Sequence, residues 1–154
     1  MKRLEPLVWV AALALLSGMV VTEGKRRTAL EAQVPVEAKD LYRTLARSKA
    51  ALQIVDVRAD LAEGYEDARV PGALPMPGCD LATTPEKARD RIVPSVPTVI
   101  VTSSGDPAEA ARCAGFFTSA RLLAGGMEGW TDANLPEDSG EYSPPSAKAG
   151  GGCL

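Results

Sequence analysis

Apolar and polar positions along the chain sort into short alternating blocks. Leu52–Val57 (LQIVDV) and Thr98–Thr102 (TVIVT) are compact apolar runs rich in β-branched residues, the pattern of buried strands. Arg121–Ala124 reads as a third short strand, and Leu74–Met76 as a short extended piece after the Arg69-Val70-Pro71-Gly72-Ala73 turn. Between Val36 and Arg47, Val36, Leu41 and Leu45 recur at helical spacing behind Pro35, which predicts an amphipathic helix. Ala59–Glu66 is polar and is expected to form a helical turn. Thr84-Pro85-Glu86 opens a short charged helix to about Arg91, with Thr84 as its cap. Asp106 and Pro107 open another, running to about Thr118, with Asp106 as N-cap. Gly125-Gly126 and Gly129-Trp130 give a turn and a short helix that ends at Leu135-Pro136. Strands alternating with helices over about 100 residues predict an α/β fold, a small parallel sheet flanked by helices on both faces. In such sheets ligands bind where carboxyl ends of strands meet helix N-termini, so the loop after 98–102 is the place to look.

Two terminal segments stand outside this pattern. Residues 1–27 combine Lys2 and Arg3, an apolar run from Pro6 to Val21, and Lys25-Arg26-Arg27. As a helix the run spans about 24 Å, within reach of a thin bilayer once Thr22 and snorkelling basic flanks are added. A single N-terminal transmembrane anchor is the favoured reading. A cleaved secretory signal and a buried helix are the alternatives; Thr22-Glu23-Gly24 is a poor cleavage site. The early Lys-Arg pair leans toward a soluble domain on the extracytoplasmic, periplasmic side. Ala14, Ser17 and Gly18 form a small-residue patch suited to helix–helix contact, as in an accessory subunit of a membrane complex. Residues 28–35 read as a linker, 36–137 as the folded domain, and 138–154, rich in Ser, Pro, Gly and Ala, as a disordered tail.

Composition narrows the chemistry. The 154 residues carry a net charge of −3 and no histidine. That excludes Ser-His-Asp and Cys-His catalysis and imidazole-based metal sites, and makes nucleic acid an unpromising partner. Neither a cofactor nor a metal is expected. The three cysteines, Cys79, Cys113 and Cys153, are widely spaced and odd in number, so no disulfide framework is expected. Cys113 reads as a buried small hydrophobe and Cys153 as an incidental thiol in the tail. Cys79, behind Pro77-Gly78, is the one with some prospect of reactivity.

Four segments in order now carry a resemblance. They are LQIVDVR (52–58), Tyr65 with Arg69-Val70-Pro71-Gly72-Ala73, TVIVT with its Gly-containing loop and helix, and GGMEGW (125–130) with Leu135-Pro136 behind it. Over residues 34–137 the chain resembles the rhodanese-like domain of the sulfurtransferase superfamily. The resemblance implies a loop whose backbone N–H groups cradle a cysteine thiolate or persulfide, with an arginine at the far end. In this chain Thr102 stands at the cysteine position and Pro107 at the arginine position, and Asp106 adds negative charge. Thr102 without a neighbouring base is a poor nucleophile. Ser103, Ser104, Gly105 and Asp106 remain as binding-loop candidates, able to hold a small anion or simply to cap the next helix. Asp56 and Arg58 are expected to fix a strand end, and Trp130 to pack in the core. The expected function is a membrane-anchored, non-catalytic binding or scaffolding module whose partners are lipid and another protein. The alternative is a divergent sulfurtransferase that works through another thiol.

Overall fold

A computed structural model describes residues 34–47 and 51–144. The anchor, most of the linker, the last ten residues and Cys153 lie outside the described residues. The elements are α1 (Ala38–Arg47), β1 (Gln53–Asp56), a helical turn at Leu61–Tyr65, β2 (Leu74–Pro75), a 3-10 turn at Pro77–Cys79, α2 (Glu86–Arg89), β3 (Thr98–Val101), a 3-10 turn at Cys113–Gly115, β4 (Ala120–Leu122) and α3 (Gly126–Asp132).

The four strands form one parallel sheet in the order β2-β1-β3-β4. The two apolar runs become its centre, with Val55 opposite Ile100 and Asp56 opposite Val101. Every residue of β1 and β3 is buried. Successive side chains of a strand point to opposite faces, so unbroken burial means that both faces are covered, as expected for a parallel sheet. Val36 extends the sheet beyond β4 through Val36 N–H to Leu122 O (2.8 Å) and Ala124 N–H to Val36 O (2.9 Å). Trp130 on α3 is fully buried, stands edge-on to Tyr42 of α1 at 6.3 Å, and donates from Nε1 to Pro136 O at 2.9 Å. Among the described residues no helix is long and apolar enough to cross a membrane.

Four expectations are corrected. The helix expected over 107–118 is a run of turns ending in the Cys113–Gly115 3-10 turn. Thr84 does not cap α2. Pro85 occupies the N-cap, while the Thr84 hydroxyl donates to Asp80 O at 2.8 Å and ties down the preceding loop. Cys113 is not a free buried thiol: it forms a disulfide with Cys79, with Cα atoms 5.3 Å apart. Spacing along the chain carried no hint of this pairing, because the two residues meet only when the loops after β2 and β3 are folded side by side. Closing a loop between residues 34 apart removes unfolded-chain entropy worth about 3–4 kcal/mol in the chain-entropy model. Residues 138–143, expected in the tail, pack against the domain. Arg69 and Asp138 exchange backbone hydrogen bonds (2.9 and 3.0 Å), the Arg69 guanidinium donates to the carbonyls of Ser139 and Gly140, and Tyr142 is buried.

Candidate functional site

The carboxyl ends of β1 and β3 open toward the N-terminus of α3, and the 102–106 loop closes over that junction. Met127 N–H donates to Thr102 O (2.8 Å) and Glu128 N–H to Ser103 O (3.1 Å), which seats the loop on the first turn of α3. The approach is close enough to demand glycine on both sides. A Cβ on Gly105 (φ +85°) would stand 2.8 Å from Gly125 N, and one on Gly126 (φ +57°) 2.4 Å from Thr102 O. The GGMEGW segment is therefore a docking face for the loop.

Thr102 is fully buried at the head of the loop, and its Oγ1 accepts the Gly105 N–H at 2.9 Å. Ser103 donates both its backbone N–H and its hydroxyl to one oxygen of Glu109, each at 3.0 Å. Asp106 Oδ1 accepts the Ala108 N–H at 2.8 Å, so the expected cap forms, though the helix behind it does not. Oxygens of the chain itself thus occupy the N–H groups of Ser103, Gly105 and Ala108. Ser104 is exposed and Pro107 half-buried, and Pro107 brings no charge. Sequence reasoning missed Glu109, since nothing in the spacing marks a residue six positions on as the partner of Ser103.

Beside the loop, Asp56 and Arg58 do as expected. The Asp56 carboxylate is wholly buried and accepts from Arg58 N–H (3.1 Å), Nε (3.0 Å) and Nη2 (2.7 Å), while Arg58 Nη2 also reaches Ala68 O at 2.6 Å. The pair holds the end of β1. A cavity of about 530 Å³ runs from Arg58 to Ser103, and its walls carry Asp60, Glu63, Asp67 and Glu128. With Arg58 already paired, the mouth beside the loop is acidic. The side chain at the head of the loop is thus a hydroxyl, and the cavity beside the loop is lined by carboxylates. Cys79 and Cys113 are both consumed by their disulfide, so no free thiol lies among the described residues.

Tyr65 is buried, and its hydroxyl donates to Ala73 O at 2.7 Å. Burial pushes its pKa up, while the Arg69 guanidinium, 4.6 Å from the ring centroid, pulls it down less strongly. The folded state therefore favours the neutral phenol. With the folded pKa above the unfolded value, this contribution is complete below about pH 10 and is lost as pH rises beyond it. Tyr65→Phe is expected to cost about 1–2 kcal/mol by leaving Ala73 O unpaired. It should also flatten the alkaline fall in melting temperature between pH 9 and 12. Parallel alkaline slopes for the two proteins would refute the assignment.

Comparisons with known proteins agree with this architecture. The model of the rhodanese-like domain matches residues 37–133, more than half of the chain. No curated protein matches. Among solved structures, the rhodanese-like domain of an Anabaena protein is 24% identical, with a TM-score of 0.55 over 79% of this chain and 92% of that one. A thiosulfate sulfurtransferase from Pseudomonas aeruginosa is 19% identical, with a TM-score of 0.56 over 78% of this chain and 23% of that chain. A protein of unknown function from Rhodopseudomonas palustris, titled a possible tyrosine phosphatase, is 19% identical, with a TM-score of 0.57 over 76% of this chain and 93% of that one. At these identities the structures speak for the fold alone, and the sheet order, the loop seated on α3 and the family match together place the chain in the rhodanese-like domain family.

Proposed function

We propose that this chain is a membrane-tethered rhodanese-like module that does not transfer sulfur and works by binding a partner protein. The observation that carries the reading is the self-satisfied loop. Thr102 stands where the family resemblance puts the sulfur carrier, and the oxygens of Thr102, Asp106 and Glu109 take up N–H groups that would otherwise face a bound anion. The acidic mouth adds to it: Asp60, Glu63, Asp67 and Glu128 repel an anionic donor and suit a lysine- or arginine-bearing segment of a partner. The Cys79–Cys113 disulfide supports an extracytoplasmic placement, because such bonds persist where the surroundings are oxidising. The apolar run from Pro6 to Val21 supplies the tether, and its small-residue patch suits an accessory subunit of a membrane complex.

Thiosulfate:cyanide sulfur transfer by the full chain tests the reading. The expected result is turnover no higher than buffer, with or without reductant. Thr102→Cys alone should also stay inactive, since Glu109 still holds Ser103 and the mouth is still acidic. Turnover that requires reductant and disappears in Cys79→Ser would establish the sulfurtransferase alternative and end the scaffold reading.

A further inference from the structure

Residues 107–117 have the composition of a helix and the structure of a string of turns. Asp106 is in place as a cap, Pro107 suits a first helical position, and Ala108, Glu109, Ala110 and Ala111 are strong helix formers or neutral in the first turn. Yet up to Cys113 the backbone bonds here run three residues back, Glu109 N–H to Asp106 O (3.3 Å), Ala111 N–H to Ala108 O (3.4 Å) and Cys113 N–H to Ala110 O (2.9 Å), and a four-back bond comes at the end of the segment, from Phe117 N–H to Cys113 O (3.2 Å). What distinguishes the segment is its crosslink. Cys113 is fully buried and bonded to Cys79, which is half-buried and sits at φ +59° directly after Gly78 at φ +61°. A left-handed backbone at a residue with a Cβ costs roughly 1–2 kcal/mol, so the loop after β2 is held in an unfavourable conformation at the point where it meets the segment.

We propose that the Cys79–Cys113 disulfide is a site of thiol–disulfide exchange, and that its reduction by a dithiol lets residues 107–117 close into an α-helix. A thiolate of the dithiol attacks the Cys79 sulfur, the more accessible of the two. The Cys79–Cys113 bond breaks, and Cys113 leaves as a thiolate and takes up a proton. The second thiol of the donor then displaces Cys79, which also leaves as a thiol, and the donor departs as its own disulfide. Two electrons and two protons pass from donor to protein.

The change reaches the loop through Glu109. In a helix capped by Asp106, Glu109 is the third helical residue, whose carboxylate reaches back to the N–H of the cap. In the oxidised structure that same carboxylate holds Ser103. Helix closure therefore transfers Glu109 from Ser103 to Asp106 and frees the Ser103 N–H and hydroxyl. Oxidised and reduced protein present different binding loops.

The test compares the full chain before and after dithiothreitol, with both thiols verified by alkylation and mass. The readouts are far-UV circular dichroism and amide hydrogen exchange over 107–117. The expected result is more negative ellipticity at 222 nm and about tenfold greater protection at the Ala110–Cys113 amides on reduction. Cys79→Ser/Cys113→Ser should show the reduced signature without reductant, and Ala111→Gly should blunt the gain. Unchanged helicity with both thiols free overturns the proposal, as does loss of ellipticity through general unfolding, which would make the bond a staple only. Neither outcome touches the sulfur-transfer assay, which tests the scaffold reading independently.

Discussion

Asp56→Ala should lower the unfolding free energy by about 3–5 kcal/mol, the usual cost of stranding one partner of a buried ion pair. The Asp56 side chain is inaccessible to solvent and that of Arg58 only 12% exposed. Without the carboxylate, the guanidinium keeps a single hydrogen-bond acceptor in the protein, Ala68 O, and loses its one direct ion-pair partner. The Arg58 N–H loses its acceptor as well. Chemical denaturation of the variant gives the size of the loss. The double variant Asp56→Ala/Arg58→Met should recover most of it, because replacing both charges removes the stranded cation and keeps the bulk. A double variant as unstable as the single one would mean that the pair acts through shape and not through charge.

Gly126→Ala should cost about 4 kcal/mol, although it adds one methyl group. Two penalties act at once. The backbone at φ +57° is left-handed, which costs a residue with a Cβ roughly 1–2 kcal/mol, and the new carbon would press on Thr102 O at 2.4 Å. Its nearest neighbours, Thr102 O, Gly105 N and the Ser103 carbonyl carbon, are all backbone atoms, so no side chain can rotate out of the way. The loop must lift from α3, breaking Met127 N–H to Thr102 O. Thermal unfolding gives the cost. Amide exchange at Met127 and Glu128 should quicken more than at the centre of β3, which separates local lifting from uniform destabilisation. Gly72→Ala is the comparison: φ is +76° there too, but no atom lies within 4 Å of the added carbon, so only the backbone penalty applies.

The candidate site was legible in part. Thr102, Ser103, Gly105 and Asp106 could be located because a strand of β-branched residues followed by Ser, Gly and Asp must end in a turn, and a parallel sheet puts that turn at the binding end. The use of Gly125 and Gly126 as the seat of the loop was not legible, since a glycine pair signals a turn and not what the turn must touch. Nor was the acidic mouth, whose Asp60, Glu63, Asp67 and Glu128 come from two distant stretches of the chain. The Glu109 contact joins neighbouring turns, yet it depends on the 107–112 segment not being helical, which the local sequence argues against.

The sequence by itself determined the elements whose signal is local: the buried runs expected over 52–57 and 98–102, most of the helix expected over 36–47, which begins at Ala38 because Val36 pairs with the sheet, the Asp106 cap, and the fixing of a strand end by Asp56 and Arg58. Each is set by periodicity or by side chains within reach of their own backbone. Only the tertiary structure decided the Cys79–Cys113 bond, the pinning of 138–140 by Arg69, and the state of 107–117. These rest on contacts between residues far apart in the chain, and over 107–117 a covalent link made across the fold outweighs the few tenths of a kcal/mol that each helix-favouring residue contributes.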